Sequence, residues 1–410
     1  MTKIQDIIAR EILDSRGNPT VEVELFLDNM RKVRASVPSG ASTGEKEVLE
    51  LRDNDPKRYL GLGVKKAVNN INNIIRPVLI GKELDQLKID QLLIKLDGTK
   101  NKQRLGGNAI LAVSLSVLKG CAISSKKRIY QYVNTGVYGL PIPMMNIING
   151  GKHANNGVAF QEYMIVPVVK TFKERLRVGS EVFHVLKKIL ENNDISTSVG
   201  DEGGFAPKFK NNEMPLALIT KAIQTAGYTP GKDVFIAIDA AASSFYLDDQ
   251  NAYLIDSKVV SANRLLEYYK YLVSKYPILS IEDPFWENDF ESLRKITQDL
   301  GDKIMIVGDD YFVTNKEYLK KGIDNKCANA ILLKANQVGT ISEMIETINL
   351  ARKNNYNMVI SHRSGETEDT FISDLAVGLN IPYIKTGSLC RGERISKYNQ
   401  LLRIEEELTN

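Results

Sequence analysis

The amino-terminal part of the chain alternates apolar and polar residues before it changes to helical spacing. Alternation runs through residues 20–26 (TVEVELF) and resumes after a turn at 33–37 (VRASV), which predicts an antiparallel hairpin or meander. At 64–75 and again at 111–122, apolar residues recur three and four positions apart, which predicts helices. These elements predict an α+β domain over roughly the first 130 residues.

A cluster of chain-breaking residues separates this part from the remainder. Gly136 and Gly139 are followed by Leu-Pro-Ile-Pro at 140–143. Glycine and proline in such close succession mark a loop between structured segments. We therefore place an N-terminal α+β capping domain at residues 1–135 and a second domain at residues 140–410.

From residue 144 onward the pattern changes to short, fully apolar runs that are each followed by a helix-like stretch. Six such runs occur, at 234–238, 278–281, 304–307, 330–333, 358–361 and 382–384. Strands that are apolar throughout belong to a parallel sheet buried on both faces, and about 270 residues of strand–helix alternation is the size of an eight-stranded α/β (TIM-type) barrel. A doubly wound open sheet is the alternative, but its Gly-x-Gly-x-x-Gly fingerprint is missing.

Composition and charge narrow the class of protein further. The 410 residues are 43% hydrophobic and 25% charged, which is ordinary for a globular chain, and a net charge of +4 is too small to indicate nucleic-acid binding. The three cysteines form no Cys-x-x-Cys pair, so they offer no zinc site and suit a reducing compartment. The N-terminus carries charges throughout, and no stretch of ~18 apolar residues is evident. We therefore expect a cytoplasmic protein without a membrane span.

A charged or histidine side chain follows each of the six predicted strands, directly in five of them and after Gly308 in the sixth. These residues are Asp239, Glu282, Asp309, Lys334, His362 and Lys385. In an α/β barrel the carboxyl ends of the strands open onto one face, where catalytic groups collect. We therefore expect these side chains to line a single pocket, the alternative being solvated loop charges.

Asp239, Glu282 and Asp309 offer carboxylate oxygens and no nitrogen or sulfur. That ligand set suits a hard cation such as Mg²⁺ better than Zn²⁺. Taken singly, each acid is more often an exposed charge or a helix cap, but the three together at matching strand ends favour a metal site. Lys334 beside such acids is either an ion-pair partner or a general base whose pKa is lowered towards neutrality.

Two loops have the composition of an anion site and a lid. At 362–369 (HRSGETED) a strand end leads into a helix amino terminus, where Arg363 and Ser364 suit a phosphate, although a capped loop has a similar composition. The small residues at 38–44 (PSGASTG) are typical of a mobile lid, here carrying Ser42, or of an ordinary turn.

Two further glycine-rich segments carry candidate groups. The segment 149–154 (NGGKHA) includes His153 and is followed by Gln161 and Glu162, and the segment 199–204 (VGDEGG) includes Glu202. Glycine allows the backbone to approach a ligand closely, so both segments are candidates for the same pocket.

With these motifs assembled, the sequence resembles the enolase family almost end to end. The resemblance is carried by residues 15–20 (SRGNPT), 39–44 (SGASTG), 149–153 (NGGKH), 200–207 (GDEGGFAP), 280–284 (SIEDP), 308–310 (GDD), 361–369 (SHRSGETED) and 399–405 (NQLLRIE). It implies reversible dehydration of 2-phosphoglycerate to phosphoenolpyruvate, in glycolysis and gluconeogenesis. It also implies a small-molecule substrate and a homodimer or larger homo-oligomer.

The resemblance also implies a magnesium site and a set of residue roles. Asp239, Glu282 and Asp309 would hold one Mg²⁺, and Ser42 would help to hold a second that binds with substrate. The implied catalytic residues are Lys334 as base, Glu202 as acid, and Glu162 and His153 in support of the acid. The implied substrate-binding residues are His153, Gln161, Glu162, His362, Arg363, Ser364 and Lys385.

The implied acid must meet a chemical condition. For Glu202 to arrive protonated, its pKa has to be raised by burial or by the nearby Glu162.

Two other functions compete with this interpretation. A muconate-cycloisomerase or mandelate-racemase type enzyme would use a Lys-x-Lys base pair on an early barrel strand, which is absent here, and would leave Arg363 and Ser364 without a phosphate. A divergent paralogue acting mainly as a binding or scaffold protein would be favoured by loss of Lys334 or Glu202, and both are present.

Overall fold

The amino-terminal sheet forms where the sequence alternates. The computed structural model describes residues 2–40, 46–134, 136–154 and 156–409. Its first sheet has three antiparallel strands in the order β1 (Ile4–Leu13), β2 (Pro19–Leu27) and β3 (Lys32–Ser36). Val21, Val23 and Leu25 of β2 are fully buried. The predicted hairpin is confirmed, and β1 extends it by one strand.

Helices cover this sheet on one side. They are α1 (Lys65–Asn70), α2 (Arg76–Leu79), α3 (Gln86–Asp97), α4 (Gly107–Ser124) and α5 (Ile129–Tyr132), with a π-helical turn at Ile71–Ile75 between α1 and α2 and a 3₁₀ turn at Tyr59–Gly61. Helix α4 packs against both β2 and β3. Both helices predicted for this domain are confirmed.

Helix α4 is long and apolar enough to cross a membrane by length and composition alone. It is the one such helix in the described part of the chain, and the sequence analysis overlooked it. However, 83% of it is buried inside the protein, as is usual for a core helix. Its length and composition are therefore weak evidence for a membrane span.

The remaining strands build a barrel and a small accessory sheet. In chain order they are β4 (Ile142–Asn149), β5 (Glu162–Pro167), β6 (Val234–Asp239), β7 (Tyr246–Leu247), β8 (Ala252–Ile255), β9 (Lys258–Val260), β10 (Ile278–Glu282), β11 (Met305–Gly308), β12 (Ala330–Leu333), β13 (Asn357–Ser361) and β14 (Tyr383–Lys385). Strands β7 to β9 form the accessory antiparallel sheet, and the other eight close into a barrel in the order β4-β5-β6-β10-β11-β12-β13-β14.

The closed eight-stranded barrel confirms the predicted fold, with one reversal of direction. All six strands predicted from apolar runs are present, and β4 and β5 complete the circle. Strand β5 runs antiparallel to β4 and β6, whereas the other neighbouring strands are parallel. No α-helix separates β4 from β5, and a parallel pair needs a long crossover, so β5 returns in the opposite direction.

Helices surround the barrel, and apolar side chains fill its lower part. The helices are α6 (Phe172–Glu191), α7 (Glu213–Thr225), α8 (Ala262–Lys275), α9 (Phe290–Leu300), α10 (Lys316–Asp324), α11 (Ala335–Val338), α12 (Ile341–Lys353), α13 (Phe371–Gly378) and α14 (Gly392–Thr409), with 3₁₀ turns at Gly151–His153 and Ala242–Ser244. Met144, Met164, Met305 and Val359 form part of a separate buried cluster inside the barrel. The barrel is thus a packed core rather than a channel.

A buried carboxylate joins the two domains. Asp90 of α3 accepts hydrogen bonds at Oδ2 from the Ser342 backbone N–H (3.0 Å) and the Ser342 hydroxyl (2.6 Å) at the start of α12, and from Gln86 Nε2 (2.9 Å). Burial raises the pKa of Asp90. This contact fixes the capping domain over one side of the barrel.

We expect Asp90→Ala to destabilise the protein by about 1–3 kcal/mol, because the half-buried donors of Ser342 lose their acceptor and Gln86 keeps only Ser114. The urea midpoint of unfolding, followed by circular dichroism, measures the change. Asp90→Asn keeps an acceptor oxygen and is the matched control, with a smaller expected loss. Equal midpoints for Asp90→Ala and the wild type would contradict this account of the domain contact.

Candidate active site

The polar strand ends converge on one cavity at the open end of the barrel. Every site residue predicted from the sequence lines it, except Glu282 and Ser42. Glu282 lies beside the cavity and contacts Lys385, which does line it. Ser42 lies outside the described residues.

The register of the paired strands places these side chains at the same height along the barrel. Asp239 is the last residue of β6 and pairs with Glu282 of β10 on one side and with Glu162 of β5 on the other. Lys385 ends β14 and pairs with Ser361 of β13. Because β5 is antiparallel, its first residue rather than its last lies at the open end of the barrel.

Lys385 forms the centre of the acidic cluster. Its Nζ lies 2.9 Å from Asp239 Oδ2, 2.9 and 3.0 Å from the two oxygens of Glu282, and 3.2 Å from Glu162 Oε1. Burial alone would lower the pKa of Lys385, but the carboxylates of Asp239, Glu162 and Glu282 outweigh it and raise this pKa well above its usual value. Lys385 is therefore a buried amine whose neighbours favour its charged form.

Lys334 follows β12, two strands from β14, and pairs with a different acid. Its ammonium group donates to Asp309 Oδ2, and the other oxygen, Oδ1, accepts from Gln337 Nε2 at 2.8 Å. Burial would lower the pKa of Lys334, but the Asp309 carboxylate outweighs burial and raises it. The lowered pKa expected from the sequence is therefore not found, because the neighbouring acid dominates.

The acids of this cavity suit a divalent cation. Asp239, Glu282 and Asp309 present carboxylate oxygens, the donors that Mg²⁺ prefers. Each of them already contacts a buried ammonium group, Lys385 or Lys334, so their positions favour positive charge between them. The type of donor therefore suits Mg²⁺, but among the described residues these three acids do not form a group whose donor atoms all lie within 4.8 Å of one another.

A second group of acids shares Asp309 with the predicted set of Asp239, Glu282 and Asp309. Carboxylate oxygens of Asp283, Asp309 and Asp310 lie within 4.8 Å of one another. Asp283, however, accepts the backbone N–H groups of Asp309 and Asp310 at 2.9 Å each, so it orders this loop.

The opposite wall holds a pair of carboxyl groups and two histidines. His153 Nδ1 lies 3.8 Å from Glu162 Oε1 and 3.7 Å from Glu202 Oε2, and His362 Nε2 lies 3.4 Å from the same Glu202 oxygen. Asn146 Nδ2 donates to that oxygen at 3.0 Å. Glu202 thus faces several polar nitrogen atoms.

Of the two carboxyl groups, Glu162 has the raised pKa and Glu202 has a lowered one. Burial and the neighbouring charge of Glu202 raise the pKa of Glu162 well above its usual value. Burial also acts on Glu202, but His362 and His153 outweigh it and hold the pKa of Glu202 well below its usual value. The condition that the pKa of Glu202 be raised is therefore not met in this structure, because its nitrogen neighbours stabilise the carboxylate.

Arg363 provides a buried positive charge for an anion. Its guanidinium contacts both Glu47 oxygens, at 2.9 and 3.2 Å, and Asn336 Oδ1 at 2.9 Å. Gly40 lies so close that a methyl group there would be 2.0 Å from Nη2. Ser364 lines the same cavity. Glu47 thus balances the charge of Arg363 from the capping domain.

Sequence reasoning missed several residues of this site. Asn146, Glu47, Gln337 and Arg394 all contact predicted site residues. Asn146 could have been recognised from the sequence, since it is a lone amide within the apolar run MMNII of β4. The others reach the site from loops or helices whose positions only the fold determines.

We expect Gly40→Ala to weaken the binding of inorganic phosphate about tenfold, equivalent to about 1.4 kcal/mol, because the added methyl displaces the Arg363 guanidinium. Isothermal titration calorimetry measures the dissociation constant. Gly392→Ala is the control, since a methyl at that position meets no atom within 4 Å. An unchanged affinity in Gly40→Ala would argue against Arg363 as the anion-binding group.

Both parts of the chain match known domain families. Residues 4–133 match the family model for the enolase N-terminal domain, and residues 137–410 match that for the enolase C-terminal TIM barrel domain. Together the two matches extend over nearly the whole chain. Enolases are lyases that act on small molecules and typically use Mg²⁺, which agrees with the carboxylate donors described above. The chain therefore belongs to the enolase family.

Proposed function

We propose that this protein catalyses the reversible dehydration of 2-phosphoglycerate to phosphoenolpyruvate. One observation carries the proposal: a buried lysine and a buried pair of carboxyl groups face one cavity from opposite walls. Lys334 follows β12, Glu162 begins β5, and these two strands lie four positions apart in either direction around the eight-stranded barrel. A substrate between them meets a base on one face and an acid on the other.

Lys334 is the group that removes the proton next to the substrate carboxylate. A positioned general base contributes typically about 10²–10⁴-fold to a rate. To act as a base Lys334 must first lose a proton, which its contact with Asp309 opposes. When held by Asp239, Glu282 and Asp309, Mg²⁺ supplies positive charge that compensates these acids and the growing negative charge of the substrate.

Glu162 and Glu202 supply the proton for the departing hydroxyl group. Two adjacent buried carboxyl groups share one proton, because ionising both in a low-dielectric site is costly. The raised pKa of Glu162 favours Glu162 as the carrier of that proton. His153 contacts both carboxyl groups and holds them together on this wall.

The positive charges of the cavity suit a substrate with two anionic groups. Arg363 and Ser364 bind the phosphate, and Lys385 with Gln161 binds the carboxylate. Gln161 Nε2 lies 3.4 Å from Asp239 Oδ2, beside the Lys385 ammonium. Two anionic ends held at separate cations fix the orientation of the carbon atoms between base and acid.

We expect wild-type protein with Mg²⁺ to convert 2-phosphoglycerate to phosphoenolpyruvate and Lys334→Ala to lose at least about 10²-fold in kcat, because the base is removed. Absorbance growth of the product measures the rate, with and without Mg²⁺. Lys316→Ala is the matched control, since Lys316 is exposed on α10 and pairs only with Glu346 among the described residues. No product from folded wild type with Mg²⁺ would reject the proposal and favour a binding or scaffold role.

Glu202→Gln separates the two chemical steps. We expect it to lose product formation but to retain exchange of the substrate C2 proton with deuterated solvent, because Lys334 is intact and only the acid side is altered. Proton NMR of the substrate in deuterium oxide follows the exchange. Loss of exchange together with product would show that Glu202 serves binding rather than the second step.

A further inference from the structure

Arg394, which lies one layer behind the cavity wall, connects to three consecutive residues that line it. This side chain near the start of α14 is fully buried. Its Nη1 donates to the Arg363 carbonyl at 2.6 Å and contacts His362 Nδ1 at 2.6 Å, and its Nη2 donates to the Ser364 carbonyl at 2.7 Å. One guanidinium thus holds the whole turn that follows β13.

The same guanidinium reaches the loop that carries the acid. Nη2 also lies 3.3 Å from the carbonyl of Asp201, the residue before Glu202. Gly387 permits this approach, since a methyl group there would lie 2.7 Å from the Arg394 Cδ. Arg394 therefore ties the two loops that bring His362 and Glu202 together.

The contact with His362 has a definite chemical consequence. A guanidinium group is a hydrogen-bond donor only, so Nδ1 of His362 must be the acceptor. The ring proton of a neutral imidazole is then on Nε2, and Nε2 is the atom that lies 3.4 Å from Glu202 Oε2. An N–H group, rather than a lone pair, is thus the part of the ring nearest this carboxylate oxygen, and at 3.4 Å it lies beyond hydrogen-bond geometry.

The charges around His362 agree with a neutral ring. Glu202, Glu366 and Arg394 are the charged groups that act on it most strongly, and burial lowers the pKa of His362 to about 4. The two acids favour a protonated ring, while burial and the positive charge of Arg394 oppose it. The geometry above then selects which neutral tautomer is present.

We propose that Arg394 is a positioning residue that fixes His362 as the neutral Nε2–H tautomer and so directs an N–H group at Glu202. Together with Asn146 Nδ2, that group stabilises the Glu202 carboxylate and leaves the shared proton on Glu162. The assignment of the tautomer depends only on the geometry. Its role in proton delivery rests on the proposed function.

Nitrogen NMR of the full-length protein labelled with ¹⁵N-histidine tests the tautomer directly. The chain has only three histidines, and His362→Gln and His184→Gln assign the signals. We expect wild-type His362 at pH 7 to carry its proton on Nε2 and to stay neutral down to about pH 5. In Arg394→Met, which removes all donors, we expect loss of this pure tautomer and a titration shifted towards neutral pH.

Two variants separate positioning from a merely structural role. Arg394→Lys keeps a donor and a positive charge and is expected to retain the Nε2–H tautomer. Lys397→Met removes another fully buried cation of α14, which pairs with Glu366 at 3.0 Å and is not in contact with His362, so it should lower stability without changing the tautomer.

These experiments can reject the role of Arg394 without rejecting the proposed function, and the reverse. A wild-type His362 protonated on Nδ1, or an Arg394→Met variant with unchanged tautomer and titration, would overturn the inference. If Arg394→Met does not fold, the wild-type and Arg394→Lys spectra still decide. The Nε2–H tautomer in a protein without dehydratase activity would support the inference and reject the proposed function. In an active enzyme, Arg394→Met should add a new acidic limb to the pH profile of kcat.

Discussion

The buried ammonium group of Lys385 is the interaction on which the open end of the barrel depends. It contacts carboxylates from three different strands, Glu162 of β5, Asp239 of β6 and Glu282 of β10. Closure of the barrel forces these acids together, and buried like charges repel unless a cation stands among them. Buried ion pairs of this kind are weak evidence for stability, since desolvation offsets most of the attraction. The cluster is therefore better explained by the charged ligand it is built to hold.

The same closure separates groups that would otherwise neutralise each other. Lys334 and the Glu162–Glu202 pair lie on opposite sides of an eight-stranded circle, so each has its own local partners. Lys334 contacts Asp309, while Glu202 is surrounded by nitrogen atoms. The lysine that contacts this pair is Lys385, 3.2 Å from Glu162, and it is shared with Asp239 and Glu282. Distance across the barrel keeps the two functions apart.

Apolar runs and polar strand ends were enough to predict the barrel and most of its site. The runs at 234–238 and 330–333 became β6 and β12, and the acids and lysines after them line the cavity as expected. Strands β4 and β5 were missed because no α-helix separates them, so the repeating strand–helix pattern begins only later. The reversed direction of β5 follows from that connection and not from its residues.

Protonation was harder to predict than position, because it depends on neighbours that the fold brings from far along the sequence. Burial alone predicts a protonated Glu202 and a Lys334 of lowered pKa. In the structure Asp309 reverses the second expectation, and the nitrogen neighbours of Glu202 reverse the first. One of those neighbours, His362, takes its tautomer from a guanidinium 32 positions away in the chain. Residue type at a strand end determines which groups can react, whereas a second layer of buried side chains determines which of them hold the protons.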